Sequence, residues 1–202
     1  MFSLRVPAAI AIALPLLVAC GAMSDSMRSP SSGATYAAAT ASWPAKTREV
    51  IAKTVAKYGP PQEVSASMLV WHNNGPWKRT IIYRQEVPHA FPIAHPDVME
   101  QFIDYRAPPA KFSDLAMYDG SVVAYRTNGE LSARCDKEEA NFLAINLAND
   151  VATGKRTVSD ARAFYAQTMK NMMAGQMAPY LQGFQFNVLK GGTADPDQPA
   201  AM

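Results

Sequence analysis

The sequence predicts an α+β domain: an antiparallel sheet of about six strands, made of two hairpins and two single strands, with about four helices packed mainly on one face. Three observations predict it. Asp119 to Gly154 reads as a hairpin feeding a long helix, an earlier hairpin follows the helix stop Gly59-Pro60-Pro61, and a second amphipathic helix begins after Gly154. Asn128-Gly129 supplies the residue types of a two-residue type I′ turn, which needs positive φ at both central positions. With that register Val122, Ala124 and Arg126 share the buried face with Leu131, Ala133 and Cys135. Asp136 stands where an N-cap belongs, with Glu139 in the capping-box position. Ala140, Leu143, Ala144, Leu147 and Val151 then form an apolar stripe at helical spacing, which leaves Asn146, Asn149 and Asp150 on a solvated or partly covered face.

The other elements follow in order. Pro44 suits a first helical turn, and Thr47, Ile51, Val55 and Tyr58 continue at helical spacing to the Gly-Pro-Pro stop. Met68 to His72 and Trp77 to Val87 are strands joined by Asn73-Asn74-Gly75-Pro76. Glu100 to Arg106 is a single strand, and Pro108 to Tyr118 a short helix with Leu115 and Tyr118 facing inward. Thr157 with Asp160 opens the last helix, whose inner stripe is Ala161, Phe164, Tyr165, Thr168 and Met172. Phe184, Phe186 and Val188 alternate as a final strand.

The first twenty residues carry an address. Arg5 is a positive n-region, and Ala8 to Val18 an apolar h-region too short to span a bilayer comfortably. The run Leu17-Val18-Ala19-Cys20-Gly21 resembles the lipobox of bacterial lipoproteins. The resemblance implies cleavage before Cys20, acylation of Cys20 and anchoring to the lipid bilayer; Gly21 rather than Asp after the cysteine implies the outer membrane, with the domain in the periplasm. An ordinary secretory signal with an accidental cysteine is the alternative. Domain boundaries follow: 1–19 signal peptide, 20–42 lipidated cysteine and flexible tether, 43–189 one globular domain, and 190–202 a disordered tail. A Ser/Ala/Gly-rich tether of that length reaches on the order of 25 Å.

Tyr58-Gly59-Pro60 followed by Leu69-Val70-Trp71 resembles the small lipoproteins of the outer-membrane assembly machinery over less than a quarter of the chain. No functional residue carries over.

The 202 residues, 49% apolar and 18% charged, suffice for one core, and a formal charge of +2 without a basic stripe gives no case for nucleic acid. Only Cys20 and Cys135 are present; lipidation of the first leaves no internal disulfide. Cys135 precedes a helix and sits beside Arg134, which suits a reactive thiol, but the hairpin register turns it to the apolar face as inert packing. The methionines 169, 172, 173 and 177 read as plastic core, with copper binding as the other reading.

The segment Pro88 to Asp97 breaks the strand pattern with three prolines and holds two of the three histidines. His89, His95 and Asp97 have the chemistry of zinc, iron or copper ligands, though H-x5-H-x-D matches no established metal motif; a rigid loop covering the sheet is the competing reading. No G-x-S-x-G, H-E-x-x-H, P-loop, C-x-x-C or C-x-x-C-H occurs, which argues against the common hydrolase, zinc-protease, nucleotide, thioredoxin and c-haem classes. Two functions are expected: a non-catalytic envelope lipoprotein that binds or assembles with an envelope protein partner, or a small-molecule or metal site, with or without catalysis, at His89, His95 and Asp97.

Overall fold

The computed structural model describes residues 32–201 together with Met1. Among these residues are five α-helices, α1 (Ser32–Thr40), α2 (Ala45–Tyr58), α3 (Phe112–Tyr118), α4 (Glu138–Ala152) and α5 (Val158–Met173). Six strands accompany them: β1 (Glu63–Val64), β2 (Met68–His72), β3 (Arg79–His89), β4 (His95–Asp104), β5 (Val122–Tyr125) and β6 (Glu130–Cys135). They form one antiparallel sheet in the order β1-β2-β3-β4-β6-β5, the expected α+β class.

Helix α2 ends because Gly59 takes a φ of +78° while its N–H returns to the Val55 carbonyl, a conformation glycine adopts without a steric penalty. It packs on β3 and β4, and Val50 and Ile51 join Trp43, Leu69, Trp71 and Ile82 in the smaller of two apolar clusters. The larger cluster lies between the sheet and α3 to α5, with the whole predicted α4 stripe inside it. Leu115 and Tyr118 of α3 face inward as expected.

Two strand readings need correction. The hairpin β5–β6 turns through four residues, with Tyr125 opposite Glu130, and only Gly129 has positive φ. The register moves by two residues relative to a type I′ turn, so the faces survive: Val122 and Ala124 still meet Ala133 and Leu131. Gly129 is fixed by a close approach, since the Thr193 backbone lies 2.2 Å from where a Cβ would stand. Arg126 consequently points away from the core, to Asp195 and Asp197.

The expected strand at 184–188 is not one. Asn146 supplies its backbone partners instead, donating to the carbonyls of Tyr180 and Gly183 and accepting from the Gln185 N–H. Phe184 then seats against Trp77 and Phe142, with ring centroids 5.0 and 5.1 Å away. This segment covers α4, which is why Asn146 and Asp150 are buried and not on a solvated face. One bridge, Asp104 to Leu189, touches the sheet, and the two-residue β1 takes the place of the sixth strand.

The termini differ from expectation too. The tail from 190 is held by Arg106, which donates to the carbonyls of Gly192, Thr193 and Ala194, and Thr193 is buried. Within the expected tether 20–42, residues from Ser32 onward form α1, whose Tyr36 packs on the smaller cluster. Cys20, the leader and the rest of the tether lie outside the described residues. Among the described residues no helix is long and apolar enough to cross a membrane.

The N-cap of α4 is Lys137, without a side-chain cap. Asp136 accepts from Lys137 Nζ at 2.6 Å and from the Cys135 thiol at 3.6 Å. Thr157 does cap α5, accepting from the Asp160 N–H at 3.1 Å.

Candidate functional site

Half of the Pro88 to Asp97 segment is strand. β3 runs through to His89 and β4 starts at His95, so the irregular part shrinks to residues 90–94, which include a cis Phe91–Pro92 bond. His89 pairs with His95 across the ladder, and Asp97 pairs with Val87. Directly opposed residues share a sheet face, and so do residues two apart on one strand. The spacing H-x5-H-x-D therefore puts both imidazoles and the carboxylate on one face at the end of a hairpin.

The ring centroids of His89 and His95 are 5.1 Å apart. His89 Nδ1 lies 3.4 Å from Asp97 Oδ2, and His95 Nε2 lies 3.2 Å from Asp97 Oδ1. One ligand atom from each residue falls within 4.8 Å of the others. In a tetrahedral zinc site with bonds near 2.0–2.1 Å, neighbouring donors stand about 3.3 Å apart, so the N–O separations match. Three donors leave one coordination position open.

A second layer orients these groups. The His95 Nδ1 contacts the Ile93 carbonyl at 2.7 Å, and His89 Nε2 faces Asp119 Oδ1 at 3.6 Å. Both rings thus spend one nitrogen on a supporting oxygen and turn the other towards Asp97, the arrangement that fixes histidine ligands in metal sites. Ser121 Oγ donates to Asp97 Oδ2 and lies 3.1 Å from His89 Nδ1. The Ser121 N–H in turn binds Asp119 Oδ1 at 2.9 Å.

Asp97 is 4% exposed, and its Oδ1 is buried without a hydrogen bond. The His95 nitrogen at 3.2 Å is close enough for charge attraction but is not aligned as a donor. That attraction, with help from Cys135, holds the His95 imidazolium up to about 11. Burial raises the Asp119 carboxyl and the Cys135 thiol. Without a proton or another cation, two imidazole lone pairs would face a carboxylate.

The half-buried carboxylate of Glu138 is a contrast. Glu138 Oε1 accepts from Tyr58, from Trp77 Nε1 at 2.6 Å and from Gln101 at 3.2 Å, while Lys57 takes Oε2. Its valences are filled by the fold, which marks it as structural.

A cleft of roughly 470 Å³ opens on His89, Asp97 and Ser121, bounded by Glu100, Tyr125 and Arg134. Behind the His95 ring a cavity of roughly 110 Å³ is lined by Cys135, Tyr165, Met169, Met172 and Met173. The sequence reading missed Ser121 and Asp119; the Asp-Gly-Ser turn was their only local signal. Cys135 is buried as expected, beside His95. Comparison with protein-family models, curated proteins and solved structures returns no match.

Proposed function

We propose that this chain is a lipid-anchored envelope lipoprotein whose periplasm-facing domain binds a divalent first-row transition metal on His89, His95 and Asp97. The observation that carries the metal reading is Asp97 Oδ1, a buried carboxylate oxygen with no hydrogen bond between two oriented imidazoles. A cation there satisfies all three groups at once. The anchor rests on the lipobox Leu17-Val18-Ala19-Cys20.

Zinc titration with a thermal readout tests the metal. At a free concentration a hundred times Kd, binding stabilises the native state by about 2.7 kcal/mol. For a domain of this size that raises Tm by about 5–10 °C. The variant His89→Ala, His95→Ala should show no rise; an equal rise in the variant, or none in the parent, contradicts the proposal. The anchor has its own test: Cys20→Ala should move the protein from the membrane to the soluble periplasmic fraction, and membrane retention would count against lipidation. A domain that ignores metal yet crosslinks to one envelope protein only when anchored would instead be an assembly module.

A further inference from the structure

We propose that Cys135 is the fourth donor of the His89, His95 and Asp97 centre, so that the site selects a thiophilic ion of the zinc class over manganese or magnesium. The inference rests on the metal reading above and extends it to the ion's chemistry.

Backbone register brings the sulfur there. Cys135 is opposite Met99 in the β4–β6 ladder, and Met99 is two residues beyond Asp97. Cys135 is thus a diagonal neighbour of Asp97 across adjacent strands, on the same face of the sheet. The thiol lines the same cavity as the His95 ring and lies 3.6 Å from Asp136 Oδ1. It stands outside the tight three-residue set, and a cysteine needs only its χ1 torsion to swing the sulfur towards an ion.

The surroundings suit a metal-bound thiolate. Cys135 is 5% exposed, and the cavity beside it is lined by Met169, Met172, Met173 and Tyr165. Burial of Cys135 itself limits the access of water and oxidants to the sulfur. The independent pointer to an ion is the orphaned oxygen of Asp97, itself nine-tenths buried and 3.2 Å from the same His95 ring. On ligation the thiol proton and the His95 Nε2 proton leave to solvent, sulfur and nitrogen each form a bond to the metal, and a metal-bound water departs for each; no electron changes hands. Sulfur, imidazole and carboxylate together make the mixed set that suits zinc or cobalt, whereas magnesium and manganese prefer oxygen alone.

Cobalt(II) added to the full chain carrying Cys20→Ala reports both parts, because Cys135 is then the sole thiol. The expected spectrum has visible d–d bands of four-coordinate cobalt together with a near-ultraviolet thiolate-to-cobalt charge-transfer band. Cys135→Ser should lose the near-ultraviolet band and keep visible absorption. Visible bands without the charge-transfer band in the parent overturn the thiolate ligand and leave the metal centre standing. Absence of both overturns the centre itself. Persistence of the charge-transfer band in Cys135→Ser also overturns the assignment, and the parent spectrum decides the matter alone should that variant fail to fold.

Discussion

Trp77→Ala is expected to destabilise the domain by about 3–5 kcal/mol, the cost of removing a large aromatic side chain from a packed core. Trp77 is fully buried, with Phe142 at 4.7 Å and Phe184 at 5.0 Å between ring centroids. The ring joins three parts of the chain: the turn before β3, the middle of α4 and the C-terminal segment. Its loss opens a cavity and also removes the seat of Phe184, so the segment covering α4 should loosen. Urea unfolding followed by circular dichroism measures the first effect, and hydrogen exchange at residues 180–189 the second. A cost below about 1 kcal/mol would mean that the segment collapses into the space.

Glu138→Ala should cost a similar amount, about 3–5 kcal/mol, for an electrostatic reason. The carboxylate is the common acceptor for Tyr58, Trp77 and Gln101 and the partner of Lys57, and its removal strands three donors in a largely buried place. Burial by itself would raise the Glu138 pKa, but the donors from Lys57, Tyr58 and Trp77 outweigh it and hold the group below its ordinary value. A carboxylate depressed in the folded state contributes stability that is complete above its unfolded pKa of about 4.3 and vanishes as pH falls through the folded value. The stability gap between parent and Glu138→Gln should therefore narrow below about pH 4. Because Trp77 and Glu138 share a hydrogen bond, the double variant should cost less than the sum of the two.

Much of this architecture is legible along the chain because local signals and tertiary packing agree. The α4 stripe, the Gly59 stop and the Thr157 cap are short-range chemistry that the fold retains. Two of the failures come from competition by distant groups, and the third from an adjacent residue. Asn128-Gly129 lost its two-residue turn to Thr193, which docks on the Gly129 carbonyl. Phe184 to Val188 alternate like a strand, but Asn146 captures the backbone of that segment and the aromatic rings find Trp77. Asp136 gives up the capping position to bind Lys137.

The candidate site was half visible. His89, His95 and Asp97 announce ligand chemistry by type, yet their spacing acquires meaning only when β3 and β4 are known to pair His89 with His95. Ser121 and Asp119 arrive from the far side of the sheet, through the turn between α3 and β5, and no spacing rule connects them to the histidines. Cys135 is buried, as the hairpin register predicts. What the alternation of β6 could not supply was the neighbour that its sulfur meets there.

The most direct measurement is zinc stoichiometry. After equilibrium dialysis of the Cys20→Ala chain against micromolar zinc, elemental analysis should find one zinc per chain, and none above buffer in the chain that also carries His89→Ala and His95→Ala. A parent chain without zinc, or a variant that retains one equivalent, would contradict the account.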